Sequence, residues 1–124
     1  MHSILIIEDE RAIAQLYETK LKLHEYSVSV AYNGLEGFRK LYDLVPDLIL
    51  LDLRMPVMSG EKFLEKVRKS EKFKNIPVII LTNINRNEAP QTIWHLGISG
   101  YFIKAHHTPS YLLAIVDKHL RGDA

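Results

Sequence analysis

Short apolar runs alternate with amphipathic stretches along all 124 residues of the chain. Five runs, at 3–7, 27–31, 48–51, 78–81 and 101–103, have the length and the Ile, Leu and Val content of strands. Three are nearly continuous, which suits strands covered on both faces; an antiparallel sheet with one wet face would alternate. Between the runs, Ile13, Leu16, Tyr17 and Leu21 recur at helical spacing, as do Phe38, Leu41, Tyr42 and Val45. Ala89, Thr92, Ile93 and Leu96 repeat that spacing, and so do Leu112, Ile115, Val116 and Leu120. A third helix over 61–69 contributes Phe63, Leu64 and Val67. Thr108 before Pro109 predicts the start of the last helix, a capping oxygen followed by a pre-set φ. The alternation predicts a doubly wound α/β domain, five parallel strands with helices on both faces. Five strands and five helices fill residues 1–124 as one domain and leave no room for a second.

Charge and composition exclude several function classes. Sixteen basic side chains face fifteen acidic ones, for a net charge of +1, and no block of like charge resembles a nucleic-acid arm. Direct nucleic-acid contact is therefore not expected. The absence of cysteine excludes disulfides, thiolate metal sites and a cysteine nucleophile. No apolar run approaches the ~20 residues that cross a bilayer, and no basic, apolar, small-residue leader opens the chain. A cytoplasmic domain without membrane contact is the expectation. A chain of this mass should remove about two thirds of its surface from water on folding, a core that needs no staples.

In an open parallel sheet, ligands bind beyond the carboxyl ends of the strands, where the strand order reverses. The first strand runs into Glu8, Asp9 and Glu10, the third into Asp52, the fourth into Thr82 and Asn83, and the fifth into Lys104. Acids, a hydroxyl and an ammonium thus converge on one edge. At an effective dielectric near 20, like charges ~4 Å apart repel by about 4 kcal/mol, so such carboxylates need a proton or a cation among them. The donors are hard oxygens with no sulfur or imidazole in the set, and Mg2+ is the ion this chemistry selects. A metal beside Asp52 would neutralise an incoming phosphoryl group, with Lys104 opposite and Thr82 donating a hydrogen bond. A carboxylate nucleophile can then form an acyl phosphate.

Four motifs, in order and each at a strand end, resemble response-regulator receiver domains. They are Ile-Leu-Ile-Ile-Glu-Asp-Glu at 4–10, Leu-Leu-Asp-Leu-Arg-Met-Pro at 50–56 with Gly60, Ile-Leu-Thr at 80–82, and Gly-Tyr-Phe-Ile-Lys at 100–104. The resemblance covers the whole chain. It implies strand order 2-1-3-4-5 and phosphorylation of an aspartate, with Mg2+, by a histidine kinase or phosphotransfer protein. It implies Asp52 as the phosphoacceptor and Asp9, Asp52 and the backbone carbonyl of Arg54 as metal ligands, with Glu8 holding a metal-bound water. Thr82 and Lys104 would bind the phosphoryl group, and Tyr101 would be the aromatic switch. A downstream protein would read the fourth helix, fifth strand and fifth helix; a homodimer stays open. The chain would catalyse only its own phosphoryl transfer and slow self-dephosphorylation.

Three positions depart from the family pattern. Ala105 follows Lys104 where the family carries proline in a cis peptide, and because a non-proline cis bond costs roughly 2.5–4 kcal/mol, trans is predicted. Asn83 stands where a small residue usually follows the threonine, narrowing access to Asp52. Glu8 replaces the commoner aspartate. The resemblance further implies that Arg54 and Ile84 set how long the phosphoryl group survives.

Plainer readings exist for each residue: Asp52 reads as a turn residue and Thr82 as an ordinary strand terminus. Asp9 suits the cap of the first helix, Glu10 a first-turn acid, and Lys104 a snorkelling surface lysine. Tyr101 reads equally as a half-buried edge-strand aromatic. Trp94 and His95 lie off the apolar stripe of the fourth helix and are expected to be exposed there, while the adjacent His106 and His107 read as loop residues. Among rival functions, the main alternative is a receiver-like interaction module that signals without phosphorylation, its acids holding a structural metal. An aspartyl-phosphate hydrolase wants a second acid two positions after its nucleophile, where Arg54 stands. A flavin-binding domain of this topology wants a hydroxyl-rich loop where Glu8, Asp9 and Glu10 stand.

Overall fold

In a computed structural model describing residues 1–122, the five apolar runs are the strands of one sheet covered by helices on both sides. The elements run β1 (Ser3–Ile7), α1 (Arg11–Leu23), β2 (Ser27–Ala31), α2 (Gly34–Asp43), β3 (Leu48–Leu51), α3 (Gly60–Lys69), β4 (Val78–Thr82), α4 (Thr92–Leu96), β5 (Gly100–Ile103) and α5 (Pro109–Arg121). All pairings are parallel and the order is β2-β1-β3-β4-β5, as predicted. Residues 123 and 124, the end of the predicted domain, lie outside the described residues.

The continuous apolar character of the central strands follows from this layering. Successive side chains point to opposite faces. Ile4, Ile6, Leu48 and Leu50 therefore join one core with Tyr17, Leu21 and Val116, while Leu5, Ile7, Ile49 and Leu51 join a second with Phe63, Val67 and Ile93. Among the described residues no helix is long and apolar enough to cross a membrane.

Three helix starts carry side-chain caps, the one at α5 as predicted. The Thr108 hydroxyl accepts from the Tyr111 amide at 3.2 Å with Pro109 in the first turn, Asn33 Oδ1 from Glu36 at 2.9 Å, and Ser59 Oγ from Lys62 at 3.2 Å. At α1 the cap position is Glu10, without a side-chain bond, so Asp9 does not cap the helix.

The helical stripes need correction in two places. Leu16, Tyr42 and Val45 are more than half exposed, and on α1 the buried positions are Ala14, Tyr17 and Leu21. The stripe predicted from Ala89 becomes a helix only at Thr92, preceded by a 3-10 turn at Arg86–Glu88. Pro90 is the reason: it lacks an amide donor and holds Ala89 extended, at φ −71° and ψ 150°, between the two pieces. The strand ends shift by one residue, β4 extending through Thr82 and β5 beginning at Gly100.

Candidate functional site

Parallel register carries the acids to the same edge. Ile7 pairs with both Ala31 and Leu51, so the chain leaves β1 and β3 side by side, into Glu8 and Asp52. Backbone bonds extend the ladder past the strands: the Glu8 amide donates to Ala31 O and the Asp52 amide to Ile7 O, both at 3.0 Å. Glu8, Asp52 and Thr82 are the buried polar residues of the described chain, and they lie together at this edge. One carboxylate oxygen each from Glu8, Asp9 and Asp52 falls within a 4.8 Å cluster. From β5, Lys104 brings its ammonium to 2.5 Å from Glu8 Oε1 and 3.4 Å from Asp52 Oδ2. Its side chain is only 7% exposed, which overturns the snorkelling reading.

Burial dominates the electrostatics of the carboxyl nearest the lysine. It pushes Glu8 up to about 7, against the pull of the bonds from Lys104 and the Glu10 amide and with the help of the Asp52 charge. For Lys104 burial acts downward, but the Glu8 bond and the charges of Asp52 and Glu8 outweigh it and raise its pKa, keeping the ammonium charged. One cation then faces three carboxyl groups, and the cluster still lacks positive charge. Donors that are all hard oxygen, gathered under an open cavity of about 260 Å³ lined by Asp9, Asp52, Arg54, Thr82, Asn83 and Lys104, fit a partly hydrated Mg2+.

A glycine lets the loop after β3 fold back onto the acid. The Gly60 amide donates to Leu53 O at 3.0 Å, and a Cβ there would stand 2.1 Å from the Asp52 carbonyl oxygen. Across the same loop Val57, a residue 76% exposed, takes φ +70°, a left-handed conformation that a β-branched residue adopts only under strain.

Thr82 and Tyr101 meet through one intervening residue. The Ile84 amide donates to Thr82 Oγ1 at 3.4 Å, and the Ile84 carbonyl accepts from the Tyr101 hydroxyl at 2.5 Å. Burial raises the pKa of that phenol. Trp94 is half-buried where exposure was expected: its ring stacks on Tyr101, with centroids 5.4 Å apart and planes 24° apart. The Arg86 guanidinium lies 5.3 Å from the Tyr101 ring centroid. His95 is exposed, as expected, and His106 ends a short 3-10 turn at Lys104–His106 that leads to His107.

Two side chains make bonds that the sequence pattern does not predict. Arg68 on α3 donates to the carbonyls of Leu96, Gly97 and Ile76 at 2.9 Å and of Lys74 at 3.1 Å, stapling the end of α4 to the approach of β4. Asn83 Oδ1 accepts from the Ala105 amide at 2.8 Å. The Lys104–Ala105 peptide is trans, as predicted.

A parallel five-stranded sheet with buried acids, a hydroxyl and a lysine at its carboxyl edge defines a class of signalling switches. The chain matches the response regulator receiver domain family over residues 4–117 and belongs to it. It is 36% identical over 120 residues to the probable transcriptional regulator ycf27 of Cyanidium caldarium, covering 97% of this chain and 47% of that protein. Among solved structures, the chemotaxis protein CheY4 of Vibrio cholerae superposes with a TM-score of 0.88 at 30% identity, covering 97% of this chain and 99% of that one. The response regulator TrrA of Thermotoga maritima, solved in complex with Mg2+ and BeF, gives 0.83 at 29% identity over 97% and 100%. The chain spans 7% of the length of the hybrid signal transduction histidine kinase D of Dictyostelium discoideum and 58% of that of the probable transcriptional regulator ycf29 of Porphyra purpurea.

Proposed function

We propose that the chain is a phosphorylation-dependent signalling switch of the cytoplasm whose acceptor is Asp52. The observation that carries this reading is the cluster of Glu8, Asp9 and Asp52 with the Lys104 ammonium reaching Asp52 and Glu8. An Asp52 oxygen attacks the phosphorus of the donor, the bond from phosphorus to the donor's leaving atom breaks, and the phosphoryl group stays on Asp52 as an acyl phosphate. Lys104 faces the incoming negative charge, and the Thr82 hydroxyl, freed from the Ile84 amide, donates to a phosphoryl oxygen. Asp9, Asp52 and the Arg54 carbonyl would hold Mg2+, with Glu8 on one of its waters. Bound there, the metal supplies charge neutralisation for the acceptor and the phosphoryl oxygens.

The donor is a histidine kinase or a phosphotransfer protein. A protein target then reads α4, β5 and α5, because the contact from Thr82 through Ile84 to Tyr101 links the acceptor pocket to that face. Coupling of about 1–3 kcal/mol suffices to shift such a population several-fold. The complete set of acids, hydroxyl and lysine supports this reading over a module that ignores phosphorylation.

The test is mass spectrometry after acetyl phosphate and Mg2+. An adduct of one phosphoryl group is expected in the wild type and not in Asp52→Asn; an adduct that persists in the variant removes Asp52 from the role.

A further inference from the structure

Asn83 and Ala105 directly follow Thr82 and Lys104, the residues that hold the phosphoryl group in the proposed function. The β4–β5 ladder ends at the pair Thr82 and Ile103. Beyond that pair the chains diverge, one into the loop before the Arg86–Glu88 turn and the other into the turn at Lys104–His106. The Ala105 amide nevertheless donates to Asn83 Oδ1 at 2.8 Å, so a side chain supplies one more rung after the backbone pairing has stopped. The rung needs both residues. Proline at 105 has no amide hydrogen, and a small apolar residue at 83 has no acceptor.

This contact pins the peptide that joins Lys104 to Ala105, and hence the root of the lysine side chain. The far end of that side chain is the ammonium wedged between Glu8 and Asp52. A flexible four-carbon stem delivers its charge to a fixed point only if its root is fixed. Asn83 also lines the cavity above Asp52.

We propose that Asn83 is a positioning residue: its carboxamide clasps the connection after β4 to the connection after β5 and thereby holds Lys104 on Asp52 for phosphoryl transfer. The proposal rests on the function given above.

The test uses the full chain, labelled with acetyl phosphate and Mg2+ at several donor concentrations, at a temperature where every variant is folded. In Asn83→Ala the labelling rate at saturating donor falls about 3- to 10-fold, the range open to loss of one neutral hydrogen bond. The half-saturating donor concentration stays within about twofold, because the clasp acts through Lys104 and not on donor binding. Ala105→Pro gives the same slowing, and the double variant is no slower than either single, since both remove one bond. Asn83→Asp keeps an acceptor at the same reach and preserves the slow exchange of the Ala105 amide, which covers the case of Ala105→Pro failing to fold.

An unchanged rate in Asn83→Ala, or fully additive losses in the double variant, overturns the proposal. Should the wild type itself take no label, the functional reading fails instead. The positioning claim is then judged on the Lys104 ε-methylene resonance, which shifts in Asn83→Ala if the clasp holds the lysine and whose invariance overturns it.

Discussion

Glu8 is pulled between two protonation states, and its titration makes a prediction about stability. Folded, it protonates at about 7, against 4.5 for the free side chain. The native state therefore binds its proton more tightly than the unfolded chain, so the stability Glu8 contributes is complete below 4.5 and is lost as pH rises through about 7. Without Mg2+, the melting temperature of the wild type should fall relative to Glu8→Gln between about pH 5 and pH 7.5; parallel curves for the two proteins would remove Glu8 as the source. Val57 offers a second residue-scale test. Its side chain is exposed and its backbone left-handed, so Val57→Asn, a residue that tolerates this conformation, should raise stability by about 1 kcal/mol, read as a higher urea midpoint. The convergence of Glu8, Asp9, Asp52, Thr82 and Lys104 was legible because each ends a strand and all parallel strands end at one edge. The hydrogen bonds of Arg68 and Asn83 were not, since each reaches backbone far along the chain, a relation that leaves no periodicity to read.

Elements carry the predictions that no single side chain decides. The loop from β3 to α3 returns across its own strand end, and the backbone around Asp52 and Leu53 cannot yield to a new methyl group. Gly60→Ala should therefore cost about 2 kcal/mol or more, measured by denaturant unfolding, and weaken Mg2+ uptake because Asp52 is displaced. A cost below experimental error would mean that the loop has another path. α4 is the shortest of the five α-helices, five residues with Ile93 as its buried anchor. Arg68 stabilises it from outside, through the carbonyls of Leu96 and Gly97. Replacing Arg68 with alanine should cost about 2 kcal/mol, the worth of hydrogen bonds from a charged donor, and speed amide exchange in α4 before that in β4. The apolar periodicity around Ala89 and Ile93 foretold a helix here and missed its start, because a spacing rule does not see Pro90 until the helix has to pass through it.

At the scale of the whole molecule, the fold was the most legible feature. Continuous apolar strands separated by amphipathic helices admit few arrangements, and the covered parallel sheet is the one that buries both faces. Metal binding should be visible at the same scale. At Mg2+ tenfold above its dissociation constant, binding to the native state alone adds ~1.4 kcal/mol, a rise of roughly 5 °C in melting temperature for a domain of this size. Asp9→Asn should lose most of that rise, and an equal rise in the variant would place the ion elsewhere. Trp94 has a further use. It is the single tryptophan of the chain, and it lies against Tyr101 beside Arg86, so all indole fluorescence originates at the surface where the target is proposed to bind. The protein therefore has a built-in optical probe: the emission intensity of the unlabelled chain should report in real time whether signalling has reached that ring pair.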